Sequence, residues 1–151
     1  MIWQDLFVAR RVPDAELAQG IGIVFGVSVA RIQVVDEIMD DTRTEGDAVL
    51  VEREYVAGEF KMRLAVYLIG VPPPADDVPQ VVALSRALDA PCLMSDDSLD
   101  PLRWILIMPD GQVSIVMLDG DALDRDEYSL AADRANTATM TQLPQPALTD
   151  L

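Results

Sequence analysis

The chain of 151 residues is strongly acidic, with 26 Asp and Glu against 11 Lys and Arg and a formal net charge of −15. This length fits one domain, and half of the residues are apolar, which is enough to build one core. The chain has no histidine, so imidazole catalysis and His-ligated zinc are excluded, and its single cysteine, Cys92, cannot form an internal disulfide.

The charge also restricts the class of partner. A surface this negative repels nucleic-acid phosphates and anionic membranes, whereas it attracts a cationic protein. The alternative is that the acidity only keeps the protein soluble. No apolar run reaches the length of a membrane span, and the N-terminal residues lack the pattern of a signal peptide. We therefore expect a cytoplasmic protein.

In chain order, residues 2–12 are apolar enough to form an edge strand or an irregular packing arm. A helix is predicted to begin at Asp14, whose carboxylate would accept the free N–H groups of the first turn, and to end near Gly26. Residues 31–35 then predict a short strand, and residues 36–47 an acidic loop.

A β-hairpin is predicted next, with Ala57-Gly58 as a two-residue turn in which the glycine supplies a positive φ. That register would pair Val56 with Glu59, Tyr55 with Phe60, Glu54 with Lys61, Glu52 with Arg63, Val51 with Leu64 and Val49 with Val66. Each cross-strand pair contributes only about 0.2–1 kcal/mol. Their agreement in charge and polarity nevertheless favours this register.

The second half begins after a proline-rich connector, residues 71–75. Asp76 or Asp77 is predicted to cap a helix that stops at Ala90-Pro91, and residues 92–94 would form a very short strand. A second hairpin is then predicted to join residues 102–108 to residues 112–118 through a Pro-Asp-Gly turn.

After Leu118 the chain is polar; residues 121–132 could form a third helix, and residues 136–151 an extended tail. The order helix, short strand, hairpin therefore occurs twice. It predicts one α+β domain over residues 1–135, with a mainly antiparallel sheet built from two hairpins plus short strands. Two helices, or three with residues 121–132, would pack on one face of this sheet.

Two motifs resemble ligand sites without meeting their requirements. The glycines of residues 20–26 suggest a phosphate loop, but Phe25 stands where a dinucleotide site needs its third glycine, and no Lys-Ser/Thr pair follows. We expect Gly22 and Gly26 to allow close helix packing instead. The acidic run from Asp119 to Glu127 suggests calcium, but Leu123 replaces a ligand and the turn glycine is missing. Capping and a solvated acidic face are favoured there.

Catalysis is not favoured by the remaining residues. Cys92 has no basic neighbour in sequence and is predicted to be a buried structural cysteine. Pairs of carboxylates can perform acid–base chemistry, but an acidic chain contains such clusters by chance. We therefore expect a non-enzymatic protein without cofactor or metal.

The acidic clusters fit a binding surface better, since they follow strands or helices in loops. Up to Ala75 the chain carries 12 acids and 7 bases, a net of −5, and the remainder carries 14 acids and 4 bases, a net of −10. The predicted partner-facing surface therefore lies in the second part and comprises Asp96, Asp97, Asp100, Asp119, Asp121, Asp124, Asp126, Glu127 and Tyr128. Trp104 could be a further aromatic anchor, although core packing is the alternative.

Two resemblances bear on the identity of the partner. The apolar strand and Pro-Asp-Gly turn of residues 104–113, followed by Asp126-Glu127-Tyr128, resemble small bacterial immunity proteins of polymorphic or type VI toxins. This resemblance implies that the protein neutralises a cognate toxin by occluding its active site. The order of elements is similar to that of class I type III secretion chaperones, which implies a dimer that binds an extended segment of an effector.

The leading expectation is therefore an immunity protein, and the alternative is an acidic secretion chaperone or adaptor. In either case the partner would be a protein with a basic surface, not nucleic acid or membrane. The protein itself would be a monomer or a homodimer.

Overall fold

The computed structural model describes residues 2–39 and 46–131. Its strands are β1 (Ile2–Val8), β2 (Ile32–Val35), β3 (Val49–Tyr55), β4 (Met62–Leu68), β5 (Cys92–Ser95), β6 (Arg103–Ile107) and β7 (Val113–Met117). Its helices are α1 (Asp14–Phe25), α2 (Asp77–Leu88) and the short α3 (Gly120–Leu123), with a 3₁₀ turn at Val29–Arg31. The predicted tail, residues 136–151, and part of the acidic loop lie outside the described residues.

The strands form one seven-stranded sheet in the order β2-β3-β4-β1-β5-β6-β7. The α+β class and the mainly antiparallel sheet are confirmed. The sheet is nevertheless mixed, because β2 pairs with β3 in parallel, from Ile32 opposite Val49 to Val35 opposite Glu52. Sequence patterns did not predict this parallel pair, since nothing local distinguishes its direction.

Strand β1 lies at the centre of the sheet, so the expected edge strand or packing arm is wrong. It pairs antiparallel with β4 on one side and β5 on the other. Its consecutive residues Leu6, Phe7 and Val8 are all buried. A strand that is covered on both faces carries apolar side chains without alternation, which is why this segment did not show the period of a half-buried strand.

Helix α1 has the predicted bounds but a different N-cap. Pro13 occupies the cap position in an extended conformation, and the structure gives no side-chain cap hydrogen bond. Asp14, the predicted cap, lies in the first turn, where its Oδ1 is 3.1 Å from Arg53 Nε. Gly26 ends the helix in the left-handed conformation with a φ of 66°.

Helix α2 follows its predicted cap and apolar face. Asp76 accepts a hydrogen bond of 3.2 Å from the backbone N–H of Val78. The buried side chains of α2, Val81, Leu84 and Leu88, face the sheet and α1. The close approach of the two helices occurs at Gly20, where an added Cβ would lie 2.8 Å from Leu88 Cδ2. It does not occur at Gly26, which has open space around it.

The predicted register of β3 and β4 is wrong by two residues. Tyr55 pairs with Met62, and Glu54 pairs with Arg63 rather than with Lys61. The connection is longer than a two-residue turn, because Val56 N–H bonds to the Lys61 carbonyl at 2.9 Å. A shift of two residues keeps every side chain on its predicted face and changes only its neighbour.

The connection between β3 and β4 is set by a distant segment. The N–H of Phe60 donates to the carbonyl of Tyr128 at 2.9 Å, and the N–H of Tyr128 donates to the carbonyl of Ala57 at 3.2 Å. Backbone groups that a tight turn would have used within the hairpin are therefore paired with the C-terminal segment.

The predicted third helix is largely absent, because helical structure is limited to Gly120–Leu123. The chain then turns at Asp126, which has a φ of 59°, and becomes extended. Leu130 forms an antiparallel bridge with Leu118 beyond β7. Burying Tyr128 and Leu130 against the sheet outweighs the weak helix propensity of this polar run.

The sheet has a core on each face. The larger core lies between the sheet and helices α1 and α2. The smaller core lies on the opposite face and contains the buried residues Phe7, Phe60, Leu93, Val116 and Leu118. Leu123 of α3 packs against this second core, so α3 does not share the face of the other two helices.

Within the two described ranges, no helix has both the length and the apolar character needed to cross a bilayer.

A substitution at Gly58 tests the tether, by which we mean the backbone hydrogen bonds that join the β3–β4 connection to Tyr128 in the C-terminal segment. Gly58 has a φ of 106°, and an added Cβ would lie 2.7 Å from the backbone N and 2.8 Å from the O of Tyr128. Gly46 is the matched control, since its φ is 96° and an added Cβ would have no atom of the described residues within 4 Å. We expect Gly46→Ala to lower the free energy of unfolding by about 1–2 kcal/mol through backbone strain alone. Gly58→Ala should cost about 1–3 kcal/mol more.

Urea unfolding followed by circular dichroism measures both variants. Equal losses for the two substitutions would contradict the tether.

Candidate functional site

A cavity of about 450 Å³ opens on the second face of the sheet, beside the smaller core. Its polar lining consists of Asp5, Glu54, Arg63, Ser95 and Asp126, and its apolar wall consists of Phe7, Val56, Trp104 and Tyr128. It lies where the C-terminal segment stops covering the sheet, so it is bounded by core residues on one side and by polar strand residues on the other.

Strand pairing explains why these side chains meet. Phe7 on β1 is opposite Arg63 on β4, and Arg63 is opposite Glu54 on β3. Ser95 on β5 is opposite Trp104 on β6. Paired residues in neighbouring strands point to the same face of a sheet. The row Phe7–Arg63–Glu54 and the pair Ser95–Trp104 therefore place their side chains around one opening.

The aromatic wall is tightly packed. Phe7 and Tyr128 are stacked with ring centroids 3.9 Å apart, and Trp104 meets each of them edge-on, at 5.6 Å and 6.4 Å. The indole N–H of Trp104 donates to the Pro101 carbonyl at 2.9 Å. The rings are therefore fixed in place before any partner arrives, which lowers the entropy cost of binding.

The electrostatics of the cavity are dominated by one internal ion pair and two unpaired acids. Arg63 holds Asp5 with two hydrogen bonds, Nε to Oδ1 at 2.9 Å and Nη2 to Oδ2 at 2.5 Å. The hydrogen bond to Asp5 raises the pKa of the Arg63 guanidinium, against the effect of partial burial. In the described parts of the chain, neither Glu54 nor Asp126 has a cation within ion-pair distance.

The phenol of Tyr128 stays protonated at neutral pH. Burial raises its pKa above the ordinary value of 10.0, and the charges of Asp126, Asp5 and Glu54 raise it further, while Arg63 acts in the opposite direction. Its hydroxyl group is therefore available as a hydrogen-bond donor beside the carboxylates.

A second depression of about 310 Å³ adjoins the cavity and shares Glu54 and Arg63 with it. It adds three carboxylates, Asp36, Glu37 and Glu52. The described lining of the two depressions thus contains six carboxylates and one arginine. We call this continuous surface the acidic face and define it by Asp5, Asp36, Glu37, Glu52, Glu54 and Asp126.

Two of the predicted partner-facing residues, Asp126 and Tyr128, line the cavity. Asp96 and Asp97 line another depression, of about 430 Å³, together with Asp76 and Asp77 near the start of α2. Asp96 is mostly occupied there, because its Oδ2 is 2.8 Å from Arg103 Nε and its side chain is 9 % exposed.

The other predicted acids either accept backbone N–H groups, are exposed to solvent or form an ion pair. Asp100 accepts the N–H of Leu102 at 2.9 Å, and Asp119 caps α3. Asp121 on α3 and Asp124 directly after it are exposed, and Glu127 pairs with Arg125 at 3.6 Å. The nine predicted residues therefore do not line one cavity. Trp104 packs against the second core, as the alternative for it predicted, and it also lines the cavity.

Sequence reasoning missed Asp5, Glu54 and Arg63 as site residues. Asp5 was missed because β1 was taken for a peripheral segment. Glu54 and Arg63 were visible as a charged pair on neighbouring strands, but the wrong register placed Lys61 opposite Glu54. The available signal was the charge of Arg63 within an otherwise apolar strand, since a buried or half-buried arginine needs an acidic partner.

This arrangement is suited to binding a cation. The described ranges contain no cluster of three or more Asp, Glu or Cys residues arranged to hold a metal ion. Carboxylates accept hydrogen bonds from cationic donors, and the aromatic faces attract cations through their quadrupoles.

Comparison with family models, curated proteins and solved structures found no match to this chain.

Cys92 is buried, as predicted, and burial raises the pKa of its thiol from 9.0 to about 12. We expect the folded protein to react with a thiol reagent such as DTNB at pH 8 far more slowly than the urea-unfolded chain, because the thiolate is the reactive form. Equal rates would contradict this.

The same pKa shift predicts a pH dependence of stability. The unfolded thiol ionises near pH 9 while the folded thiol keeps its proton, so its contribution to stability is present below pH 9 and is lost as the pH rises towards 12. Cys92→Ala should lose stability less steeply over this range than the parent protein in urea titrations. Parallel pH profiles of the two proteins would show that the thiol does not contribute.

Proposed function

We propose that this protein is a non-catalytic binding module that captures a basic protein partner on its acidic face. Its most specific form is an immunity protein that neutralises a cognate bacterial toxin by occluding the toxin's active site. The observation that carries the proposal is a concave surface in which three carboxylates share a cavity with a fixed aromatic wall and three more line the adjoining depression.

The aromatic wall supports the proposal because binding energy at protein interfaces concentrates in preorganised aromatic residues at the centre of a patch. Phe7, Trp104 and Tyr128 supply such a centre. The surrounding carboxylates would act mainly on specificity and on the rate of encounter, since opposite charges steer two proteins together.

Occlusion of a toxin fits this charge pattern. An enzyme that acts on an anionic substrate presents a cationic cleft to it. A rigid acidic face can compete for that cleft by offering the same sign of charge as the substrate. The identity of the toxin reaction is not implied.

A secretion chaperone or adaptor is the second candidate, and the outer edge of β7 favours it. The N–H of Leu118 bonds to the Leu102 carbonyl, so alternation directs the backbone groups of Val113, Ile115 and Met117 away from β6. Met117 accepts the N–H of Ala131, while β6 is the only strand paired with β7 in the described residues. An extended segment of an effector could add to the remaining edge.

Both candidates imply a cytoplasmic protein that acts as a monomer or a homodimer. They differ in the surface used, since an immunity protein would use the acidic face and a chaperone would use the β7 edge.

Capture of a partner from the native host at low salt tests the proposal. We expect the double variant Glu54→Lys, Asp126→Lys to lose the captured protein. It replaces the two unpaired acids of the cavity by positive charges, which repel the basic partner. The matched control is Asp121→Lys, Asp124→Lys, which changes the net charge equally at two exposed positions, in α3 and directly after it, outside both depressions. The control should keep most of the binding.

Quantitative pull-down or calorimetry with the recovered protein gives the comparison. Failure to recover any protein partner at low salt would contradict the proposed function. Equal losses in both double variants would show that only the overall charge matters and would remove the acidic face as the site.

A further inference from the structure

We infer that the cavity of the acidic face receives an arginine side chain presented by the protein partner. This inference rests on the proposed function and deepens it by naming the group that the cavity recognises. It is carried by three features of the cavity: its unpaired carboxylates, its preset aromatic wall and its internally neutralised arginine.

The first feature is the distribution of charge. Of the three carboxylates that line the cavity, Asp5 is occupied by Arg63, whereas Glu54 and Asp126 are exposed and have no ion pair in the described chain. They come from different elements, the end of β3 and the turn after α3. Two acceptors from separate elements that line one opening suit a donor with several N–H groups, and guanidinium has five in a fixed plane.

The second feature is the aromatic wall. Phe7 is 3 % exposed and stacks on Tyr128, so the surface of the wall is formed by the partly exposed rings of Tyr128 and Trp104. A guanidinium is planar and weakly hydrated, so it stacks on an aromatic face while its edge donates to carboxylates. The ammonium of lysine is compact and strongly hydrated, and it gains less from such a wall.

The third feature is that Arg63 does not oppose a second cation. Its charge is offset by the two hydrogen bonds to Asp5. The chain already uses the same contacts elsewhere, because Arg11 and Arg53 lie over the ring of Tyr55 at 4.8 Å and 5.2 Å. The cavity would repeat on a partner what the protein does with its own arginines.

Other occupants fit the cavity less well. An anion would face six carboxylates across the acidic face. An apolar side chain would bury Glu54 or Asp126 without a partner, and leaving a desolvated charge unpaired is costly. An arginine uses both the acids and the rings.

The inference is tested by titrating the full-length protein with three capped tripeptides, acetyl-Gly-X-Gly-amide, in which X is arginine, lysine or citrulline. Citrulline keeps the shape and planarity of arginine and removes its charge. The readouts are the indole N–H signal of Trp104 and the backbone amide signal of Tyr128 in ¹⁵N–¹H spectra. We expect saturable shifts with the arginine peptide in the millimolar range, weaker shifts with lysine and none with citrulline.

Glu54→Gln and Asp126→Asn should each lower the affinity for the arginine peptide about fivefold, which is the effect of losing one partly exposed charge pair. Asparagine tolerates the left-handed backbone of residue 126, so the second variant preserves the turn. Asp124→Asn is the matched control, since it removes an exposed carboxylate that does not line the cavity, and it should change the affinity less than about twofold at physiological salt. The dispersion of the amide spectrum verifies that each variant is folded.

Absence of saturable shifts with the arginine peptide overturns the inference, and so does equal binding of lysine or citrulline. An equal effect of Asp124→Asn and Glu54→Gln also overturns it. If the arginine peptide does not bind while binding of a captured partner still depends on Glu54 and Asp126, the assignment of arginine is wrong but the proposed function stands. If the peptide binds as expected but no protein partner is recovered, the cavity chemistry stands and the proposed function fails.

Discussion

Strand β1 is the element on which the rest of this structure depends, because it hydrogen-bonds to β4 on one side and to β5 on the other. The strands contributed by the first half of the chain thereby join those of the second half. Its side chains also serve both cores, since Leu6 and Val8 face the helices and Phe7 faces the opposite side. Loss of this pairing would separate the sheet into two parts, neither of which has a complete core.

Placing Phe7 on the second face creates the constraint that shapes the site. An aromatic ring at the centre of a sheet needs cover, and it receives this from Tyr128, which is tied to the β3–β4 connection by backbone hydrogen bonds. The cover ends near Glu54 and Arg63, where the sheet face becomes polar. The cavity is thus the boundary of a core, and its aromatic wall is rigid because the same rings hold the fold together.

Sequence reasoning succeeded where local chemistry decides the structure. Gly26 ends α1, and Asp76 caps α2, because these residues act within one helical turn. It failed where distant segments compete. The β3–β4 register depends on hydrogen bonds to Tyr128, and the central position of β1 depends on both neighbours. Asp126 and Tyr128 were selected because they lie in an acidic loop, whereas Asp5, Glu54 and Arg63 meet only through strand pairing.

The ion pairs show which acids near the cavity are neutralised within the protein and which are not. Arg63 holds Asp5 inside the cavity, and Arg53 binds Asp36 at 2.6 Å beside the adjoining depression, so both of these arginines are already engaged with acids. Glu54 lies opposite Arg63 across the strands, yet its exposed carboxylate has no ion pair in the described chain. Carboxylates held together on a concave surface repel one another, which raises the free energy of the unbound protein. A cation from a partner removes this repulsion and adds an attraction, and it does so most effectively where solvent is partly excluded by aromatic rings. We therefore expect the two unpaired acids of the cavity to attract a positively charged side chain more strongly than exposed acids without aromatic neighbours do.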